Sequence, residues 1–161
     1  NLFLISVFFL CVSNIWSQQK NKSIWETIKG KELESSITFL PIGSHTKQFD
    51  FLEVWYTSYN YKSIELAVFK NSYDDLTIAL IYKRQIQIIE KLNFIYGIGI
   101  MHGYGGKLKN VSGIPFKNSF LFNGNINATG GVSLDYRIAK KFSVQLNVSP
   151  VVLLYGVRFI L

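Results

Sequence analysis

The sequence has little cysteine, little proline and little charge. Cys11 is the one cysteine among 161 residues, which excludes a small scaffold held together by disulfides. Three prolines and 17% charged residues stand against 48% hydrophobic residues, and that much apolar surface excludes a disordered tail. No apolar run reaches the roughly 20 residues of a membrane-spanning helix. The chain has instead 16% aromatic residues and a formal charge of +7, at a length that suits one domain.

The sequence also lacks motifs for binding metals, phosphates or nucleic acids. The two histidines, His45 and His102, have no cysteine or carboxylate at the spacing of metal ligands, so we expect no metal. The glycine-rich residues 103–106 lack the Lys-Ser/Thr of a phosphate loop, and we expect no cofactor. The 17 basic residues form no contiguous tract, which argues against nucleic-acid binding.

The first residues have the pattern of an export signal. An apolar run covers residues 1–12, and small or polar residues follow it. We expect a signal peptide over residues 1–17, with a membrane anchor as the alternative, and a single domain over residues 18–161. Ser23 and Glu26 form a Ser-x-x-Glu capping box, which predicts an amphipathic helix over about 23–34. This helix would lie on a membrane surface, or else plug or flank one end of a barrel.

After the helix, the spacing of the apolar residues changes from the period of a helix to that of a strand. Eight segments are predicted as strands: Ser36–Ser44, Phe49–Ser58, Ser63–Lys70, Leu76–Ile86, Leu92–Tyr104, Asn125–Arg137, Lys141–Ser149 and Val151–Leu161. Most are near the roughly 9–11 residues that a tilted strand needs to cross a bilayer. Leu76, Ile78 and Leu80 alternate with Thr77 and Ala79, so one face of that strand is markedly apolar.

The alternation of apolar and polar residues along the predicted strands is compatible with two kinds of barrel. A soluble lipid-binding barrel keeps its apolar face inside, whereas a membrane barrel turns it outward and has a more polar interior. The last segment favours the membrane version, because Leu153, Tyr155, Val157, Phe159 and Leu161 share one face up to the end of the sequence. We therefore predict an all-β fold, an eight-stranded antiparallel transmembrane β-barrel over about residues 36–161, preceded by the short amphipathic helix.

In an antiparallel barrel successive connections alternate between the two rims, so the topology predicts which rim holds each candidate site residue. With the helix on the periplasmic side, the connections His45–Gln48, Asn71–Asp75, Lys107–Gly124 and Pro150 fall at the outer rim. The turns Tyr59–Lys62, Glu90–Lys91 and Ala139–Lys140 fall at the inner rim. Outer-membrane barrels have short periplasmic turns and longer external loops, which this arrangement matches. It predicts that His45 and Ser72 meet at the same rim.

Several short motifs resemble the PagP family of lipid A palmitoyltransferases. Residues 69–73 read Phe-Lys-Asn-Ser-Tyr and look like that family's Phe-Lys-Asp-Ser-Trp. Residues 39–45 are similar to its Ile-Pro-x-x-x-x-His segment, and residues 97–100 and 113–115 to its glycine-bearing strand and its proline-containing loop. The matches are short and scattered over residues 23–161, and their order and spacing carry the resemblance.

The resemblance implies an enzyme of the bacterial outer membrane that moves a palmitoyl chain from a phospholipid to lipid A. The family's His, Asp and Ser map to His45, Asn71 and Ser72. Asn71 departs from the acid, and an amide carries no charge to orient a protonated histidine. It could position a neighbour by hydrogen bonding, or Asn71 and Ser72 could simply form a turn. A non-catalytic outer-membrane barrel, structural or adhesive, and a secreted lipid-binding barrel are the alternatives.

We expect the barrel to act as a monomer. The remaining candidate residues would bind the phospholipid donor and the lipid A acceptor. Inward Gly97 and Gly99 would leave room for an acyl chain or permit strand curvature, and Met101 would line the interior. Rim lysines would meet the acceptor's phosphates, unless they are merely solvated. These lysines are Lys47, Lys70, Lys107, Lys109 and Lys117.

Overall fold

Eight strands close into an antiparallel barrel in the computed structural model, which describes residues 24–46, 51–52, 54–111, 113–114, 116–122 and 124–161. The described strands are β1 (Lys31–Glu32), β2 (Ser36–His45), β3 (Phe51–Leu52), β4 (Tyr56–Tyr61), β5 (Ile64–Lys70), β6 (Leu76–Ile89), β7 (Leu92–His102), β8 (Ile126–Ala139), β9 (Phe142–Val148) and β10 (Val152–Ile160). Each strand from β4 to β10 pairs with the next, and β10 pairs with β2, which closes the sheet. β1 and β3 are short additions on β6 and β2. The predicted eight-stranded barrel is confirmed.

Two ends of the barrel are named by what they carry. The helix rim has the short α-helix of the described residues and the tight turns at Lys62–Ser63, Glu90–Lys91 and Lys140–Lys141. The loop rim has the connections after β2, β5, β7 and β9. His45, Asn71 and Ser72 all lie at the loop rim, as their place in the topology predicts.

Side chains alternate between a largely apolar outer wall and a mixed interior. Leu76, Ile78 and Leu80 are exposed on β6, whereas Thr77 and Ala79 between them are buried. Exposed apolar side chains occur on all eight barrel strands; examples are Ile37, Tyr59, Leu66, Ile78, Ile100, Leu134, Val144 and Val157. The alternation predicted from the sequence is therefore confirmed, with the apolar face outward.

The interior divides into two halves along the barrel axis. Towards the loop rim, Leu40, Tyr56, Ala67 and Ala79 form a buried apolar cluster. Towards the helix rim most buried side chains are polar or charged, with Leu33 and Ile160 as apolar exceptions. The polar and charged ones are Ser36, Thr38, Asn60, Glu65, Lys83, Asp135, Ser143, Gln145 and Arg158. A barrel with this filling holds an apolar space at one end only.

The helix, α1 (Ile24–Lys29), is shorter than the predicted 23–34. Gly30 ends it in the left-handed conformation at φ 63°, and Lys31 and Glu32 then pair with β6. Arg84, which projects from the outer wall, donates from Nη2 to the Gly30 carbonyl at 2.8 Å and from Nε to the Lys29 carbonyl at 3.1 Å. The helix therefore flanks the barrel. No helix of the described residues is long and apolar enough to cross a membrane.

The second predicted strand has the wrong bounds. Instead of one strand over Phe49–Ser58, β3 ends at Leu52 and β4 runs from Tyr56 to Tyr61. The turn lies at Lys62 and Ser63, with φ values of 43° and 76°, so Tyr61 pairs directly with Ile64. Positive φ at both central residues is the geometry of a type I′ hairpin, which usually takes Asn-Gly. The predicted signal peptide, Ser23 of the capping box and Lys47 lie outside the described residues.

Candidate functional site

A cavity of about 460 Å³ opens inside the loop-rim half of the barrel. Its walls are mostly apolar, with Tyr56, Phe69, Ile81, Ile95, Met101 and Leu154 among the lining residues. Leu108 and Ile114, from the long connection between β7 and β8, line it as well. Both the volume and the lining are typical of a site for a small apolar ligand.

A buried ion pair closes the cavity towards the helix rim. Lys83 Nζ lies 2.6 Å from Glu65 Oε1, and both side chains are almost fully buried. The Tyr56 hydroxyl donates a hydrogen bond to the same carboxylate oxygen. Because each charge has a partner, the pair limits the depth of the cavity without leaving an uncompensated charge. Sequence alternation places Lys83 inward, but nothing in the sequence names Glu65 as its partner.

A second buried cluster fills the barrel below this ion pair. Arg158 Nη1 lies 3.3 Å from Asp135 Oδ2, and Arg158 Nε donates to Ser36 Oγ at 2.9 Å. Ser143 donates to the other Asp135 oxygen at 2.6 Å. These side chains bridge β2, β8, β9 and β10 across the interior. The cluster occupies the helix-rim half, so the cavity is a pocket that opens at the loop rim.

The barrel wall lacks strand pairing beside the cavity. β9 ends at Val148, which pairs with Val132, so residues 126–131 of β8 pair only with β7 among the described residues. Thr129 and Gly131 from this stretch line the cavity, as do Ser149 and Pro150 opposite them. Proline has no backbone N–H to extend the ladder. Among the described residues, no backbone ladder joins β8 to β9 along this part of the wall.

Asn71 organises the connection between β5 and β6. Its Nδ2 donates to Thr77 Oγ1 at 3.0 Å and to the Gly103 carbonyl at 3.2 Å. Its Oδ1 accepts from the backbone N–H groups of Tyr73 at 2.8 Å and Asp75 at 3.2 Å. The side chain is buried, and its four hydrogen bonds join this connection to β6 and to the end of β7. This is the turn-forming role that asparagine favours.

Ser72 and His45 also present polar groups at the loop rim. Ser72 is exposed and lines the cavity beside Asn71. His45 is half-buried at the end of β2, where it pairs with Val152, a lining residue of the cavity. Within the described residues, no hydrogen bond joins the His45 imidazole to Asn71 or Ser72. β4 lies between β2 and β5, so the three predicted residues share a rim without forming a contiguous triad.

The predicted lipid-binding residues have different environments. Gly97 and Met101 line the cavity. A Cβ on Gly99 would lie 2.1 Å from the Leu80 carbonyl oxygen, so Gly99 allows close approach of β6 and β7. Lys70 also lines the cavity, and its Nζ lies 2.8 Å from Asp74 Oδ1.

An aromatic and charged group at the cavity mouth was not foreseen from the sequence. Tyr104 lines the cavity and packs edge-on against Tyr73, with ring centroids 6.3 Å apart. Burial raises the pKa of Tyr104 to about 12, with a smaller contribution from Tyr73. Lys107 Nζ lies 5.1 Å from the centre of the Tyr73 ring and 2.6 Å from Asp75 Oδ2. The available indication of this group in the sequence was Tyr104, which stands between Gly103 and Gly105.

The described residues contain no group of three His, Cys, Asp or Glu side chains that could hold a metal ion. Comparison of the chain with protein-family models, with curated proteins and with solved structures finds no match.

Proposed function

We propose that the chain is a bacterial outer-membrane enzyme that transfers a palmitoyl chain from a phospholipid to lipid A, as its resemblance to the PagP family implies. The observation that carries the proposal is the apolar cavity inside the loop-rim half of a barrel whose outer wall is itself apolar. A membrane barrel presents such a wall to lipid, and an internal apolar cavity suits an acyl chain.

The distribution of polar residues supports a place in the membrane. Arg158, Asp135, Glu65 and Lys83 are buried inside, while leucine, isoleucine, valine and aromatic side chains are exposed outside. A secreted lipid-binding barrel would require the opposite arrangement, because its outer wall faces water. The outer membrane is therefore the compartment that this surface fits best.

The lack of strand pairing between this part of β8 and β9 supports a lipid donor. A phospholipid in the surrounding bilayer would reach the cavity between residues 126–131 of β8 and the connection at Pro150. Its acyl chain would extend along Met101, Ile81 and Leu154 towards the Lys83–Glu65 pair, and its ester group would stay at the loop rim. A single barrel encloses this path, which fits a monomer.

The reaction assigned to this site is an ester exchange. A hydroxyl of lipid A attacks the phospholipid ester carbonyl, a new ester bond forms, and the lysophospholipid alkoxide leaves. His45 takes the proton of the attacking hydroxyl as general base and returns it to the leaving oxygen. Ser72 donates a hydrogen bond to the reacting ester, and Asn71 holds Ser72 at the cavity mouth through its bonds to the β5–β6 connection. One ester replaces another, so this reaction requires no cofactor.

A non-catalytic barrel is the second candidate. The observation that favours it is that all four hydrogen bonds of Asn71 stay within its own connection, β6 and β7, and none reaches His45. In this alternative the loop rim would serve a structural or adhesive role.

Mass spectrometry of lipid A separates the two candidates. Cells that express the wild-type chain should contain lipid A with one additional palmitoyl group, and cells with His45→Ala should lack it. His102→Ala is the matched control, because His102 is exposed at the same rim on β7 and should leave the modification intact. Unmodified lipid A in cells that hold the folded wild-type barrel would favour the non-catalytic candidate.

A further inference from the structure

We propose that residues 107–122, the larger part of the connection between β7 and β8, dock on the anionic headgroups of the membrane surface around the barrel. The proposal rests on the place in the membrane proposed above, and it concerns the loop surface rather than the chemistry of acyl transfer. This β7–β8 connection is the longest at the loop rim.

The charge of the connection has one sign. It contains Lys107, Lys109 and Lys117, and the sequence has no Asp or Glu between Glu90 and Asp135. Lys107 is paired with Asp75 of the neighbouring connection. Lys109 and Lys117 form no ion pair among the described residues, so their charges are available to an external anion. Anionic headgroups attract basic segments that lie close to a membrane surface.

Apolar exposure is greatest in the same segment. Phe116 and Phe120 are 83% and 84% exposed, the highest values among the large exposed apolar side chains of the described residues. Leu121 beside them is also exposed. Side chains of this kind bury their apolar surface at the boundary between headgroups and acyl chains.

The backbone holds these side chains in a compact turn. The Ser119 N–H donates to the Phe116 carbonyl at 2.8 Å, and the Phe122 N–H donates to the Ser119 carbonyl at 3.2 Å. Phe116 itself has a φ of 56°, a left-handed conformation that is unfavourable for a phenylalanine. The turn therefore presents two phenylalanines together with Lys117 between them, which is the combination that an anionic lipid surface accommodates.

Hydrogen–deuterium exchange of the full chain in nanodiscs tests this placement. One set of discs contains phosphatidylcholine alone, and the other contains equal parts of phosphatidylcholine and phosphatidylglycerol. Lys109 and Lys117 near an anionic surface should slow exchange in residues 107–122 by about fivefold to thirtyfold in the anionic discs. High salt should remove the difference, because it screens the attraction.

Paired variants separate the contributions of charge and apolar surface. Lys109→Gln with Lys117→Gln should abolish the difference between the two kinds of disc. Lys140→Gln with Lys141→Gln makes the same charge change at the helix rim and should leave it intact. Phe116→Ser with Phe120→Ser should speed exchange in both kinds of disc.

Three results would overturn the proposal. Equal exchange of wild-type residues 107–122 in the two kinds of disc would exclude recognition of anionic headgroups. Protection that rises with protein concentration and ignores lipid composition would assign the surface to a second copy of the chain. Failure of the folded chain to enter discs would remove its premise, the place in the membrane. Loss of acyl transfer alone, with lipid-dependent protection retained, would overturn the proposed enzyme and leave this inference standing.

Discussion

Asn71 occupies the position where the PagP resemblance leads one to expect an acid, and its contacts explain the amide. Nδ2 donates to two acceptors, Thr77 Oγ1 and the Gly103 carbonyl. A carboxylate has no N–H to give to that carbonyl, and Asp74 and Asp75 already place negative charge in the same connection. The amide therefore serves the geometry of the loop rim directly, whatever its relation to His45.

Asn71→Asp should consequently destabilise the protein even though it introduces the acid of the PagP motif that residues 69–73 resemble. We expect a loss of about 1–3 kcal/mol, because a buried acceptor loses its donor. The free energy of unfolding in urea measures it. Asn118→Asp adds the same charge at an exposed site and should have little effect. Unchanged stability together with increased acyl transfer would instead assign residue 71 to the chemistry.

Tyr104 gives the loop rim a pH dependence in the alkaline range. Its pKa is raised from 10.0 to about 12 in the folded protein, so unfolded chains lose the phenolic proton first. Its contribution to stability is constant below pH 10 and declines between pH 10 and 12. Tyr104→Phe has no such proton, and its unfolding free energy should fall less over that interval than that of the wild type. Parallel pH profiles for the two proteins would contradict the buried position of the Tyr104 hydroxyl.

The sequence predicts which side chains face the barrel interior far better than it predicts which of them contact one another. Alternation places Lys83 inside the barrel, since it shares a face with Thr77 and Ala79. Its pairing with Glu65, however, depends on the register of β5 against β6, where Glu65 lies opposite Ile81. In the same way, the alternation of connections between the two rims brings His45 and Ser72 to one rim, but their separation around the barrel depends on the intervening β4.

At the scale of elements, the hairpin between β4 and β5 is the least conventional feature. Lys62 and Ser63 occupy left-handed conformations that a hairpin sequence usually signals with Asn-Gly. Because Lys62 and Ser63 do not form such a turn motif, the strand is predicted to end at Ser58 instead of Tyr61. α1 was overextended for a related reason: Gly30 was counted within the helix, although a glycine is the residue that commonly ends one. Continuous alternation, by contrast, made β6, β8 and β9 predictable.

Lys62→Asn should stabilise this hairpin, because asparagine tolerates the left-handed conformation better than lysine does. We expect a gain of about 0.5 kcal/mol in unfolding free energy, a fraction of the full left-handed penalty. Lys91→Asn makes the same change in the β6–β7 turn, where no positive φ occurs. Equal effects of the two substitutions would show that charge, rather than the conformation of Lys62, determines the result.

For the whole molecule, two buried ion pairs replace an apolar core in the helix-rim half. The composition with 48% hydrophobic residues is therefore explained mainly by the outer wall and the cavity. Asp135 and Arg158 connect strands that β9 separates, so they tie together the closing region of the barrel. Such a pair is costly to break because the remaining charge stays buried.

Asp135→Asn should lower the unfolding free energy by about 3–5 kcal/mol, since Arg158 would keep its charge without a partner. The double variant Asp135→Leu with Arg158→Met should cost less than the single one, because no buried charge is left. Asp74→Asn, at the exposed pair with Lys70, provides the comparison and should change stability little. A double variant less stable than Asp135→Asn would refute the explanation by an unpaired buried charge.

Acyl transfer by the purified chain is the decisive measurement of the proposed enzyme activity. The folded barrel in detergent is given purified lipid A and phosphatidylcholine with one isotopically labelled palmitoyl chain. We expect labelled lipid A and an equal amount of lysophosphatidylcholine with the wild type and with His102→Ala, and neither product with His45→Ala. Absence of labelled lipid A with the folded wild-type barrel, or its undiminished formation with His45→Ala, would contradict the account.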